Sequence, residues 1–353
     1  MKHWRHWEEM QEAMPGFDGT YLEEMSTFSY EVLELPPYYD KKPCLTSVFL
    51  QLMDGKMYDV SLRFIGVSSL KLDMHGDWLV GDIKISREPI EEIQFYVNDY
   101  EHGTMSFYCE EVEFLGVQES VEENLKRALT DFRILAGMVE PDCEEIVEAL
   151  EVLKEFGERP VVAELLLQHV THENQDIRDA VYEYLWYVDD PRTIGIACEG
   201  LQSEDALQRI KCLEILGKWG DGEVVPQLLA VLEKDGDALV RCYAAEAIGA
   251  TANEATVSIL QRLLLEEQDD VAKMGIVYGL ERLGHRDLDL LFENLANDYY
   301  IVRIRIVLYL TEIALEDPRV LAAIVRVLKE YRDEEKTVAA REAFDRALEE
   351  LGK

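Results

Sequence analysis

The sequence predicts an α+β protein of two domains: an antiparallel β domain over residues 1–119 and, over residues 120–353, a right-handed α-α superhelix of about six repeats. Three observations predict this architecture. Apolar pairs recur every 30 to 32 residues along the last two-thirds of the chain. Short stretches of alternating apolar and polar residues fill residues 44–115. Between the two patterns, Ser120-Val121-Glu122-Glu123 is a capping box, which predicts that a helix starts there.

Length and composition agree with two folded domains. The chain has 353 residues, more than one hydrophobic core usually holds, and 48% of them are apolar. Its six cysteines are scattered without a Cys-x-x-Cys pair, which indicates reduced thiols in a reducing compartment. Neither a signal peptide nor an apolar run of the roughly 18 residues that span a membrane is present. We therefore expect a cytoplasmic protein that is not bound to a membrane.

The chain is strongly acidic, with a formal net charge of −37 from 35 basic and 72 acidic residues. The acidic residues are spread over both predicted domains rather than collected in a tail. Such a field repels nucleic acid and favours a protein partner with a basic surface. Solubility alone is the alternative explanation of the charge.

The predicted β domain contains a hairpin and a change of strand parity. Leu45–Leu52 and Met57–Phe64 flank Asp54-Gly55, a dipeptide typical of two-residue hairpin turns. A further turn is expected at Gly76-Asp77. Apolar residues stand at odd positions from Met105 to Cys109 and at even positions afterwards, which predicts a β-bulge near Glu110-Glu111.

The predicted helical domain repeats a pair of helices. The first helix of each pair carries a basic residue, followed by apolar or small pairs three to four and six to seven residues later. A single helix pair cannot bury its apolar face alone, but a stack of such pairs can. The second helices are expected to begin near Pro160, Pro191, Gly222, Asn253, His285 and Pro318.

One repeat carries a family resemblance. From Asp237 to Gly249 the sequence has an acidic residue, Val-Arg, two small residues and a closing Ile-Gly. This segment resembles the HEAT-like repeat of the phycobilisome-lyase type, and the resemblance extends over roughly residues 140–351. It implies a HEAT-like solenoid. Because such repeats occur in scaffolds, lyases, DNA-repair enzymes and a hydroxylase, it does not imply one function.

The resemblance also implies a role for the repeated arginines. In HEAT-like repeats the residue at this position bridges neighbouring repeats through an acidic side chain or a helix carbonyl. The structural inter-repeat residues expected here are Arg178, Arg209, Arg241 and Arg303.

The predicted β domain has a resemblance of its own. Val60–Val67, Leu70–Leu72 and Met105–Glu110 resemble strands in the small β domains of bacterial immunity-type proteins. Those proteins bind and neutralise a cognate toxin, so the resemblance implies an inhibitory protein partner.

The search for catalytic chemistry finds one weak candidate. His169 and His172 stand three residues apart, so they could share a helix face and hold a metal, but a helix C-terminus also favours histidine. Deoxyhypusine hydroxylases of the HEAT type place several His-Glu pairs around a di-iron site, and this chain has one such pair, His172-Glu173. Phosphate-binding loops and a Gly-x-Ser-x-Gly motif are absent from the sequence. We therefore predict no catalytic residues, no metal and no cofactor.

The second helices of the pairs are rich in glutamate, and aromatic residues stand at or near the turns. If the second helices line the groove of the solenoid, these carboxylates would face a basic partner. The tryptophans would be binding hot spots or, alternatively, would pack at the edges of the layers. The candidate partner-binding residues are Glu164, Glu199, Glu233, Glu266, Glu267, Glu293, Trp186 and Trp219.

These observations favour a non-enzymatic protein that binds a basic protein partner, with immunity-type inhibition as one form of that function. The alternative is a lyase-type HEAT-repeat enzyme, or a ligand-binding protein, that uses the concave groove for a small molecule.

Overall fold

The computed structural model describes residues 4–37, 39–73 and 80–352. The chain forms two compact units, residues 1–130 and 131–353. The first contains a short helix, an eight-stranded sheet and most of the helix that follows it; the second is helical. The turn predicted at Gly76-Asp77 lies outside the described residues.

The sheet is antiparallel, with the strand order β4-β7-β6-β5-β1-β2-β3-β8. Its alternating pattern turns one face towards a core that includes Phe49, Phe64 and Phe107. The strands are β1 (Tyr21–Leu35), β2 (Asp40–Met53), β3 (Lys56–Ile65), β4 (Ser68–Leu72), β5 (Val80–Ile90), β6 (Ile93–Asp99), β7 (Met105–Cys109) and β8 (Glu111–Glu119).

The predicted hairpin is confirmed. Met53 pairs with Lys56, and the two residues between them both have positive φ, 47° at Asp54 and 82° at Gly55. Positive φ at both central residues is the requirement of a type I′ turn, whose twist matches that of the strands it joins. The Asp-Gly dipeptide therefore fixes the register of β2 against β3.

The bulge predicted at Glu110-Glu111 is wrong. β7 ends at Cys109, where it pairs with β6, while β8 begins at Glu111 and pairs with β3 at the opposite end of the strand order. The apolar residues change from odd to even positions because the chain passes from one pair of strands to another at Glu110. A register shift does occur in β8, but further along, where Phe114 and Gly116 face consecutive residues of β3.

Many helices of the chain have the capping residues that their positions require. Asn174, Asp205, Asp237 and Asp269 each accept a backbone N–H of the first turn of a repeat helix. The helices are α1 (Trp7–Ala13), α2 (Val121–Ala136), α3 (Cys143–Lys154), α4 (Pro160–His169), α5 (Gln175–Tyr184), α6 (Arg192–Gly200), α7 (Ala206–Trp219), α8 (Val225–Lys234), α9 (Ala238–Thr251), α10 (Val257–Glu266), α11 (Asp270–Arg282), α12 (Leu288–Asn294), α13 (Tyr300–Glu316), α14 (Pro318–Glu334) and α15 (Val338–Leu351).

Helices α4 and α14 begin at the predicted prolines, whereas α8, α10 and α12 begin three or four residues later than predicted. At Asn253 the reason is visible, because its side chain caps a short 3-10 turn that precedes α10. None of the described helices is long and apolar enough to cross a lipid bilayer.

Helices α7, α9, α11 and α13 lie side by side as the first helices of four successive repeats, and α8, α10, α12 and α14 pack against this row. Helices α9 and α11 approach closely at glycines. A Cβ added to Gly249 would lie 2.7 Å from the Cα of Gly279, and one added to Gly275 would lie 2.7 Å from the carbonyl oxygen of Cys242. The row therefore has its tightest packing between α9 and α11.

Candidate functional site

A cavity of about 470 Å³ lies along the row of first helices. Its walls include Trp186, Glu214, Tyr243, Leu308 and Glu312, and we call it the helical groove. Trp186 comes from a short 3-10 helix after α5, and the other walls come from α7, α9, α11 and α13.

Most of the groove is built from three positions of the repeat. Residues two, five and nine places after the repeated basic residue share one face of an α-helix. The side chains at these positions change along the row. They are Tyr243 and Arg305 at the second place; Glu214, Glu246, Tyr278 and Leu308 at the fifth; and Lys218, Ala250, Arg282 and Glu312 at the ninth.

Arg305 of α13 is the centre of a hydrogen-bonded network in this groove. Its Nη1 donates to the hydroxyl of Tyr243 at 3.0 Å, its Nε donates to the hydroxyl of Tyr309 at 3.3 Å, and its Nη2 pairs with the carboxylate of Glu246. The Arg305 side chain is only 12% exposed. A buried ion pair is stable only when further hydrogen bonds satisfy its remaining groups, and the two tyrosines supply them.

Arg305 reaches across one repeat in this network. Tyr243 and Arg305 belong to α9 and α13, which are separated in sequence by the whole of α11. Arg305 nevertheless bonds to a residue 62 places earlier in the chain. The equivalent position of α11 is Gly275, where an added Cβ would lie 2.8 Å from the Sγ of Cys242, so this glycine lets α11 pack closely on α9 beside the network.

Tyr309 and Cys242 form the buried floor of the network. The Tyr309 hydroxyl donates to Glu246, and the Sγ of Cys242 lies 3.1 Å from the same hydroxyl. Burial raises the pKa of the Cys242 thiol to about 12 and the pKa of Tyr309 well above its usual value. Both groups stay protonated at neutral pH, so they serve as hydrogen-bonding groups and Cys242 is not a thiolate nucleophile.

The polar side chains that α11 contributes to the groove also have partners on α13. Tyr278 stacks on Tyr309 with ring centroids 4.2 Å apart, and its hydroxyl donates to Glu312. Arg282, one turn further along α11, pairs with Glu316. These contacts fix the shape of the groove and leave few of its charges free.

Glu214 is the exception. It lines the groove and is exposed, and its carboxylate has neither a hydrogen bond nor an ion pair with any described residue. Desolvation by the surrounding protein raises its pKa, against the opposing effect of Arg305. An unpaired carboxylate with a raised pKa in a cavity is a candidate functional group.

Lys218 follows Glu214 by one helical turn and has an aromatic environment. Its Nζ lies 3.2 Å from the centroid of the Trp186 ring and 4.9 Å from that of Trp219. Trp219 in turn donates its indole N–H to the carbonyl oxygen of Trp186 at 3.0 Å. The two tryptophans predicted to bind a partner are therefore adjacent, and Trp186 belongs to the groove.

The six predicted partner-binding glutamates do not line the groove, because the first helices form it and the second helices do not. Several are already engaged elsewhere. Glu164 pairs with Arg192, and both Glu233 and Glu266 pair with Arg262. Glu199 and Glu293 are exposed on α6 and α12, and Glu267 belongs to the contacts described next.

The repeated arginines form what we call the arginine ladder: Arg209, Arg241 and Arg303. Each donates two hydrogen bonds of 2.7 to 3.0 Å to one carboxylate in the following repeat and others to the carbonyls of its own preceding turn. The carboxylates are those of Asp235, Glu267 and Glu335. By contrast, the side-chain hydrogen bonds of Arg178 go to the carbonyls of His172 and Glu173.

The histidine cluster is used structurally. His169 Nδ1 lies 2.8 Å from the Leu165 carbonyl oxygen, and His172 Nε2 lies 3.1 Å from that of Ala136. Within the described ranges, 4–37, 39–73 and 80–352, no three His, Cys, Asp or Glu side chains are grouped so that they could hold a metal ion. These residues therefore do not fit a di-iron centre.

The repeats match a known family. Residues 194–281 and 225–311 match the family of HEAT repeats, which together is about a third of the chain. The C-terminal region therefore contains HEAT-like repeats, as predicted from the sequence.

Two curated relatives are enzymes. The chain is 37% identical over 90 residues to the deoxyhypusine hydroxylase of Danio rerio, and 38% identical over 79 residues to that of Chaetomium globosum. The matched segments cover 25% and 22% of this chain, and 29% and 23% of the relatives. The chain thus spans less than a third of the length of either relative.

Solved structures with a similar chain path include the complex of CpcE and CpcF of phycocyanin lyase from Nostoc, with a TM-score of 0.44 and 14% identity over 64% of this chain and 94% of that one. Human deoxyhypusine hydroxylase has a TM-score of 0.34 and 18% identity over 66% of this chain and 98% of that one.

These relatives correct the expected function. The expectation of a non-enzymatic protein that binds a basic partner is wrong, because the curated proteins that share sequence with the chain are enzymes. The expectation rested on the acidity of the chain and on the absence of familiar catalytic motifs, and neither observation excludes an enzyme. The immunity-type resemblance and the partner-binding glutamates stay predictions.

Proposed function

We propose that the chain is an enzyme of the HEAT-repeat type that takes a small organic substrate in the helical groove. The observation that carries this proposal is the combination of a cavity, a fixed hydrogen-bonded network and one unpaired carboxylate, Glu214, on the same helix row. Sites for small molecules are typically concave, with a few convergent polar groups on largely preformed walls.

Among its described residues the groove offers a carboxylate acceptor and a hydroxyl donor. Glu214 is the acceptor. Tyr243 is the donor, because its hydroxyl oxygen accepts from Arg305 and its own O–H remains available. The Arg305 guanidinium also lies over the face of the Tyr243 ring, with its central carbon 4.4 Å from the ring centroid. Substrate oriented between the two groups could exchange a proton with Glu214, whose pKa is raised by desolvation.

The similarity to two hydroxylases supports an enzymatic function for this chain. It does not support the same hydroxylase reaction. The matched segments are short, and the described residues do not fit the di-iron centre expected for such hydroxylases. The lyase-type alternative drawn from the sequence requires only a groove for a small molecule, which agrees with the geometry.

The proposal is tested by filling the groove. Ala250 is an exposed residue of the groove wall, so Ala250→Trp should fold and obstruct the cavity. Ala322 is an equally exposed helical alanine in α14 outside the groove, and Ala322→Trp is the matched control. Ligand-observed NMR with a fragment library should give hits for the wild type and Ala322→Trp that Ala250→Trp loses. Hits that bind all three proteins equally, or no hits at all, would overturn the proposal.

A further inference from the structure

The charges of the helical groove are unequally satisfied. Two of its three cations form ion pairs, Arg305 with Glu246 and Arg282 with Glu316, while the Lys218 ammonium lies over the ring of Trp186. Of its carboxylates, Glu214 has no partner among the described residues, and the hydrogen bond to Glu312 comes from a neutral tyrosine hydroxyl. Glu214 is therefore the carboxylate of the groove that is open to a cationic ligand.

The walls of the groove already accommodate cations. The Lys218 ammonium sits against the Trp186 ring, and the Arg305 guanidinium lies over Tyr243. Aromatic faces attract cations through the quadrupole of the ring. Two independent cation–π contacts in one cavity indicate that its surface is suited to positive charge.

We infer that the substrate of the helical groove is a small organic cation, an alkylammonium compound, whose ammonium group pairs with the carboxylate of Glu214. The inference rests on the proposed function, because it names the class of molecule that the groove takes. An anion would meet the carboxylates of Glu214 and Glu312 in the groove, where the Lys218 ammonium already lies against an aromatic face. An ammonium group would relieve the one desolvated carboxylate that lacks a partner, and the net charge of −37 would attract it.

The apolar part of such a substrate also has a place. Leu213 and Leu308 line the groove, and Ala250 leaves open space beside them. Leu308 is 44% exposed, so covering it with an alkyl or aryl group would remove apolar surface from water.

The test uses three probes of similar shape: 2-phenylethylammonium, 2-phenylethanol and 3-phenylpropionate. Each is titrated by ligand-observed NMR at millimolar concentration and neutral pH against the full chain. The ammonium probe should bind most tightly and the carboxylate probe most weakly. Glu214→Gln should weaken the ammonium probe about fivefold and leave the alcohol unchanged, as expected for loss of one partly solvated ion pair. Glu293→Gln, which removes an exposed carboxylate outside the groove, is the control and should change neither.

The outcomes separate this inference from the proposed function. If all three probes bind equally and Ala250→Trp abolishes all three, the groove is a ligand site but the cation inference is overturned. If the ammonium probe binds Glu214→Gln and Ala250→Trp as well as the wild type, it binds the acidic surface generally, and the inference is again overturned. If no probe binds the wild type, the inference is overturned, and the fragment screen decides the proposed function on its own.

Discussion

The arginine ladder and the helical groove use the same chemistry, an arginine paired with a carboxylate, in two regions of the same helix row. In the ladder the pairing repeats: Arg209, Arg241 and Arg303 each hold a carboxylate of the next repeat. In the groove the pairs differ along the row, Arg305 with Glu246 and Arg282 with Glu316, and Glu214 has no partner among the described residues.

This difference distinguishes side chains that stabilise the stack of helices from side chains that are candidates for binding a substrate. A charge pair that recurs in three repeats connects each of these helix pairs to the next, which is what the stability of a solenoid requires. An unpaired charge at a position that varies between repeats does not stabilise the stack, because an unpaired, desolvated carboxylate costs free energy. The ladder therefore explains the fold, and the groove is where substrate binding is expected.

The largest effect should come from breaking the ladder. Replacing Arg303 by methionine leaves the Glu335 carboxylate, whose side chain is 4% exposed, without its partner. Removing one member of a buried pair costs about 3 kcal/mol or more of the free energy of unfolding. Denaturant unfolding monitored by helical circular dichroism checks this value. Arg346→Met is the control, because the side chains of Arg346 and of its partner Glu342 are 80% and 61% exposed, and it should change little. Equal losses of stability in both variants would show that the ion pairs of the ladder stabilise the fold no more than an exposed pair does.

The second effect is a dependence of stability on pH. The hydrogen bonds from Arg303 lower the pKa of Glu335 to about 2. A carboxyl with a lowered pKa stabilises the folded state above its unfolded pKa, near 4.5, and the contribution is lost as pH falls towards 2. Between those values the wild type should lose on the order of 2 kcal/mol more than Glu335→Gln. Denaturant titrations of both proteins across that range check the difference, and parallel curves would contradict it.

The third effect belongs to the groove. Tyr309→Phe removes the hydroxyl that donates to Glu246 and accepts from Arg305. Loss of a hydrogen bond to a charged group costs about 2 kcal/mol of the free energy of unfolding. The control is Tyr299→Phe, at an aromatic residue that is 50% exposed and should lose almost nothing. If Tyr309→Phe were equally neutral, the network around Arg305 would not be a preformed part of the site.

The smallest effect is a gain of stability, where the other variants lose it. Glu214→Gln removes a carboxylate whose pKa is raised by desolvation, so its ionised form destabilises the folded state at neutral pH. The variant should be equal to the wild type or more stable by less than about 0.5 kcal/mol. Thermal or denaturant unfolding checks the sign. A clear loss of stability would mean that Glu214 has a structural role, like the carboxylates of the ladder.

The solenoid could be predicted from the sequence because its core is periodic. Apolar pairs three to four and six to seven residues after each basic residue recur in every first helix, and the helix period converts that spacing into one buried face. The β2-β3 hairpin could be predicted from Asp54-Gly55 alone. The error at Glu110 arose because a change of parity along the chain does not distinguish a bulge from a change of strand partner.

The groove could not be predicted by the same reasoning. Its residues stand at positions where the repeats differ, such as Glu214 and Leu308 at equivalent places, and a search for recurrence passes over them. The contact of Arg305 with Tyr243 spans α11, and its two residues are 62 places apart in the sequence. The sequence does contain a signal for the groove. Where one helix face changes between otherwise regular repeats, its side chains are not needed for the stacking and are candidates for binding.

The most direct test of the central claim, that the helical groove is the substrate site, is crystallographic fragment screening of the full chain. Electron density for bound fragments should appear in the groove, in contact with Glu214 and the hydroxyl of Tyr243. Fragments bound reproducibly elsewhere, with the groove empty in every crystal and open to solvent, would contradict the claim.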